Sequence, residues 1–230
     1  MSMRSISPRR ETLAGEVRSE LEQMIINGDL KAGEKMNELS LSDKMGVSRG
    51  TVREAIRSLA DSGLIDLIAN RGAYVHETTL TEVRNLYELR SAVFAMACGA
   101  AARRVANGSE RALQRSLKSN LDQMRSVIAS EDNAKYYALN IAFHDMLLAA
   151  ADNPKAKTIY DNLVKEMHLF RRRGLSLASN VARSLEEHEA ISAAVIAGDE
   201  EKARSAAHIH IASGLARYMK IIDQDPEATG

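Results

Sequence analysis

Three histidines, His144, His188 and His210, stand on three different stretches of helical pattern. Asn140 precedes the first by four residues, which puts its amide one turn away on the same helix face. Neutral imidazoles with one oxygen donor suit a borderline divalent ion, zinc first, with nickel or manganese as alternatives. Facing helices of a bundle can assemble such a site and leave positions for water or a ligand. Spacing alone also fits unrelated surface histidines. His188 follows Glu186 and Glu187, as an exposed, ion-paired ring would. His208 competes with His210, although residues two apart on a helix face about 200° from one another. His76 and His168 have no evident partner and read as surface residues.

A second group of residues could bind an anionic polymer. Between Lys44 and Arg57 lie four cations, Lys44, Arg49, Arg53 and Arg57, against one acid, Glu54. Ser48 is a good N-cap, and Val52, Ala55, Ile56 and Leu59 follow at helical spacing, so the arginines project from the opposite side. An arginine-bearing amino end on an amphipathic helix suits a recognition helix, whose dipole also favours phosphate. A solvated basic face would show the same periodicity. The preceding stretch decides between them: residues 37–45 read as a short helix and Gly46 as the turn that lets a second helix cross it, the helix-turn-helix pattern. Beyond it, residues 64–68 and 73–75 read as two strands around 70–72. Arg71 would then sit at the tip of a hairpin wing, in reach of a minor groove, with Gly72 permitting the turn.

The elements that must carry these residues are almost all helical. Three prolines, 4% aromatics and abundant Ala and Leu favour helix, and 230 residues allow two domains, each with a core. The expected arrangement is a flexible arm over 1–11, a winged helix-turn-helix of three helices and a β-hairpin over 12–76, a linker at 77–79, an all-α bundle of six to seven helices over 80–222, and a flexible tail over 223–230. In the bundle, a long helix capped by Thr79 runs to about 106, with Val83, Leu86, Leu89, Val93, Ala97 and Ala101 on one face. Further helices are expected over about 110–129, 133–151, 154–173, 181–197 and 200–222. Lys+Arg and Asp+Glu are equal at 31 each, and residues 1–75 also balance, eleven against eleven, so any affinity for nucleic acid is a local patch. The single cysteine, Cys98, excludes an intramolecular disulfide framework and reads as a small buried thiol in a reducing compartment. No apolar run reaches the roughly 18 residues of a membrane span, and the start lacks a hydrophobic secretion signal; a cytoplasmic protein is expected.

Residues 37–65 with 70–75 resemble the winged helix-turn-helix of the GntR family of bacterial transcription regulators. Residues 82–90, 140–144, 152–154, 186–199 and 203–211 are similar to the all-helical effector domain of its FadR-type branch, the FCD domain. The resemblance implies a homodimer that binds a palindromic operator as a repressor and is released or rearranged by a small carboxylic acid. It carries the family's DNA contacts onto Ser48, Arg49, Thr51, Arg53, Arg71 and Gly72. An arginine common in the second helix is replaced by Leu39. The family's metal ligands fall on Asn140, His144, His188 and His210, with Asn140 in place of the more usual aspartate. An anionic effector bound to the ion would take Arg90 as a second anchor. Two other readings compete: a regulator whose effector pocket holds no metal, and a metal-dependent hydrolase, for which no carboxylate base is evident and which would leave the DNA-binding half without a purpose.

Overall fold

The computed structural model describes residues 12–110, 112–130, 132–167 and 178–224. The expected arm, the surface reading of His168, the end of the fourth bundle helix and the last residues of the tail lie outside the described residues. The chain divides into two compact units near residue 78, each with its own hydrophobic core.

In the first unit, α1 (Leu13–Asn27), α2 (Glu38–Met45) and α3 (Arg49–Ala60) precede the hairpin β1 (Ile65–Ile68) and β2 (Gly72–Val75). Local chemistry sets each boundary. The side chains of Thr12, Asn37 and Ser48 accept from the first free amides of the three helices, and Gly28 and Gly46 close α1 and α2 in the left-handed region. Leu21, Val52, Ile56 and Leu59 are fully buried where α1 crosses α3. The strands pair antiparallel from Ile65 with Val75 to Ile68 with Gly72. Their turn places Asn70 at φ 60° and Gly72 at φ 107°, so two residues rather than one supply the positive φ.

The segment between α1 and α2 does more than connect them. Val75 donates to the Glu34 carbonyl, while Gly33 and Met36 donate to Val75 and Ala73, and Lys35 bridges to Tyr74. A third short edge therefore supports the wing.

The second unit contains, among the described residues, α4 (Leu80–Ala106), α5 (Leu113–Ala129), α6 (Asn133–Ala150), α7 (Pro154–Glu166), α8 (Ala178–Ile196) and α9 (Glu200–Gln224). Thr79 and Glu82 form a reciprocal capping box at the start of α4. Pro154 occupies the first turn of α7 behind the Asn153 cap. α4 packs most extensively on α9 and also meets α6, α7 and α8. Its buried face differs from expectation: Leu89 is 49% exposed, whereas Tyr87 and Arg90 are buried with Val83, Phe94, Ala97 and Ala101. A stripe drawn through aliphatic residues alone misses the true 3.6-residue phase, because two polar types belong to it. Cys98 is fully buried beside it, and burial pushes its thiol far above the usual range.

Candidate metal centre and nucleic-acid interface

Three helices of the second unit each deliver one imidazole to a common point. His144 comes from α6, His188 from α8 and His210 from α9; all are buried, and their ligating atoms lie within 4.8 Å of one another. Nε2 of His210 is 3.2 Å from Nε2 of His144. Phe94 packs on His144 at 4.2 Å between ring centroids and Phe143 on His188 at 4.4 Å, so aromatic contacts fix two ring planes. Asn140 is buried one turn before His144, and among the described residues its Oδ1 accepts no hydrogen bond. His188 is buried, not the exposed ring its acidic neighbours suggested. His208, the competitor of His210, is exposed and pairs with Ser91 at 2.8 Å.

The outer nitrogens are also occupied. His210 Nδ1 lies 2.9 Å from the Glu187 carboxylate, which Arg217 grips through both terminal nitrogens at 2.8 and 3.0 Å. His144 Nδ1 lies 2.7 Å from the Tyr160 hydroxyl, and Arg90 Nε donates to that same hydroxyl at 3.0 Å. When Nδ1–H faces the oxygen, each of these two rings turns its Nε2 lone pair toward the common point, the arrangement in which histidine binds metal. Burial pushes His210 down to about 4 against the opposing pull of Glu187, with Arg90 and Arg217 adding to the decrease, so the ring is neutral at pH 7. Burial alone would raise Glu187, but the hydrogen bonds from His210 and Arg217 outweigh it and hold the carboxyl down to about 2. The donor set therefore fits a divalent ion: three buried imidazoles, one of them held neutral by burial, and a buried amide oxygen beside them. A pocket of about 490 Å³ between α6 and α7 reaches His144 and Tyr160, with Asp145, Lys157, Asp161 and Lys165 on its walls. Sequence reasoning missed Tyr160, Glu187 and Arg217; the apolar spacing of Ala156, Tyr160 and Leu163 marks Tyr160 as inward-facing, but nothing local says what its hydroxyl meets.

In the first unit the recognition helix is α3. Its cap, Ser48, accepts from the Thr51 amide at 3.1 Å and shares a 2.9 Å hydroxyl bond with Thr51. Arg49, Arg53 and Arg57 are exposed on the face opposite Val52, Ala55, Ile56 and Leu59. Arg53 does not project freely: its Nε and Nη2 bond the Glu38 carboxylate of α2 at 3.0 and 2.6 Å. Arg71 and Gly72 are exposed at the hairpin turn, and Leu39 is 53% exposed on α2. His76 is not without a partner, since its Nδ1 lies 3.0 Å from both oxygens of Asp66.

Residues 13–75 match the model of the bacterial regulatory proteins of the gntR family, and residues 85–213 match the FCD domain. The chain belongs to the GntR family, in its FCD-containing, FadR-type branch. The HTH-type transcriptional regulator LutR of Bacillus subtilis (strain 168) is 30% identical over 209 residues, covering 82% of this chain and 93% of LutR. The HTH-type transcriptional repressor RspR of Escherichia coli (strain K12) is 29% identical over 191 residues, covering 83% and 82%. The solved structure of E. coli McbR/YncC shares the fold with a TM-score of 0.71 at 18% identity, covering 91% of this chain and 98% of that one. This GntR protein is a DNA-binding transcription regulator. The hydrolase alternative falls with that assignment, because the family and its named members are regulators and not enzymes. No helix among the described residues is long and apolar enough to cross a membrane.

Proposed function

We propose that this regulator is a repressor that binds a palindromic operator as a homodimer and responds to a small carboxylic acid through a divalent ion, zinc first, in its helical unit. Asn140, His144, His188 and His210 hold the ion, and Arg90 is the effector's second anchor. On the DNA side, Ser48, Arg49, Thr51 and Arg53 of the recognition helix and Arg71 and Gly72 of the wing make the contacts. The convergence of three buried imidazoles within 4.8 Å carries the effector half of this reading. Arg90 supports it, since it is buried and joined to His144 through Tyr160. When bound, the ion supplies a Lewis-acid anchor for a carboxylate. Asn140, being neutral, leaves the ion's charge less compensated than an aspartate would, which favours an anionic effector. The repressor sense is supported by the relative RspR, named a transcriptional repressor.

Elemental analysis of protein purified without a metal-affinity step tests the ion, and thermal shifts with a panel of mono-, di- and tricarboxylates test the effector. Stoichiometric metal, lost in His144→Ala together with the carboxylate response, is the expected result. Metal-free protein that still responds to a carboxylate in His144→Ala would sink the metal site. One observation favours that second reading, a pocket without metal: Nε2 of His144 and Nε2 of His210 are within hydrogen-bond distance, so in the tautomer with the proton on one of these nitrogens the two rings satisfy one another directly.

A further inference from the structure

The Glu38–Arg53 pair is unusual for where it sits. Arg53 is on the outward face of the recognition helix, where a cation should meet DNA, yet an acid fifteen residues earlier holds it. Glu38 lies in the first turn of α2, directly after the Asn37 cap. Its Oε1 accepts from Nε at 3.0 Å, while Oε2 accepts from Nε at 3.1 Å and from Nη2 at 2.6 Å. A guanidinium has five N–H bonds. The side-on edge, Nε and one hydrogen of Nη2, is consumed; the end-on edge, Nη1 and the other hydrogen of Nη2, meets no partner among the described residues. Both side chains retain solvent exposure, 49% for Arg53 and 26% for Glu38. Such exposed pairs stabilise a fold little, so stability does not explain the arrangement.

Charge narrows what the end-on edge is for. A phosphate contact draws on the cation's full charge and on counterion release, and a paired carboxylate cancels much of both. Guanine offers two neutral acceptors, O6 and N7, spaced for two parallel N–H donors, and a fixed guanidinium plane loses less rotamer freedom in meeting them. Arg49, whose Nη2 is 4.0 Å from Glu38 and whose side chain is 59% exposed, is left far less constrained. We propose that Glu38 is a positioning residue that sets DNA specificity, holding the side-on edge of Arg53 so that its end-on edge reads a guanine in the operator half-site. The proposal rests on the reading of Arg53 as a DNA contact.

Duplexes selected from a random-sequence pool by the full-length wild-type chain define the half-site. Selection and titration are then repeated with Arg53→Ala, Arg53→Lys, Glu38→Gln and Glu38→Ala, with a scrambled duplex as the non-specific probe. The expected result is a guanine at one half-site position that Arg53→Ala and Arg53→Lys no longer select, and whose preference falls roughly fivefold or more in both Glu38 variants. Binding of the Glu38 variants to the scrambled duplex should rise at low salt, because an anion has left the DNA-facing surface. A structural role for Glu38 would instead lower both bindings together. If the Glu38 variants keep the guanine preference that the Arg53 variants lose, the positioning role is overturned and the contact stands. If the Arg53 variants weaken all duplexes equally, Arg53 binds phosphate and the proposal fails. If they change neither sequence nor affinity, Arg53 does not touch DNA and both readings fail.

Discussion

Arg49 and Arg53 sit one turn apart on the same helix, yet their surroundings give them different expected behaviour. Arg49 is more exposed and has only a 4.0 Å approach to Glu38. If it reads a base, Arg49→Ala should reduce discrimination between operator and scrambled DNA by about 1–3 kcal/mol; equal weakening of both in competition titrations would mark a phosphate contact. In the helical unit the same logic applies to Glu187. Its carboxylate links His210 to Arg217, whose side chain is only 8% exposed. Glu187→Gln removes one member of a largely buried pair and should cost about 3 kcal/mol in chemical denaturation, more than an exposed pair would. His144, His188 and His210 were legible as candidates because residue type and helical phase are local properties; phase shows only that His208 and His210 face apart, and it was the family resemblance that pointed to His210 and to Asn140. Tyr160, Glu187 and Arg217 were not readable: their partners lie sixteen, twenty-three and thirty residues away in sequence, and only packing brings them together.

Elements were legible where the chain carries its own stop and start chemistry. The caps at Asn37, Ser48 and Thr79 and the glycines at 28 and 46 act within four residues of where they stand. The pairing of 33–36 with β2 left no such mark, because it is made by backbone groups of a polar segment. The start of α9 offers a test of capping by charge. Asp199 accepts from the Lys202 amide at 3.0 Å, and that bond, followed by the Lys202 ammonium, holds its carboxyl below the ordinary value of 3.8. A carboxyl lowered by folding contributes stability above its unfolded value and loses it as pH falls through the folded one. Asp199→Asn keeps the cap acceptor without the titration. Urea midpoints should therefore fall less between pH 4 and pH 2 in the variant than in the wild type, and an equal fall in both would show that the cap carries no acid dependence.

At the scale of the whole chain, two separate cores mean two cooperative units. Calorimetry should resolve two unfolding transitions, and a carboxylate or divalent ion should raise only the one belonging to the helical unit, by about 2.7 kcal/mol at a ligand concentration 100 times its dissociation constant. A single transition that shifts as one would contradict independent units. The division itself was legible from the change of pattern, with strand signals confined to the first third and unbroken helical periodicity afterwards.

The Tyr160 hydroxyl between His144 and Arg90 has a consequence for observation. The chain has six tyrosines, three phenylalanines and no tryptophan, so phenols dominate its near-ultraviolet signal. One of them stands a single imidazole away from the point where the three histidines meet. Any ion that draws electron density from His144, or any anion that takes Arg90, perturbs that chromophore directly. Difference absorbance of the unlabelled protein then follows loading of the site, with Tyr160→Phe as the variant that falls silent.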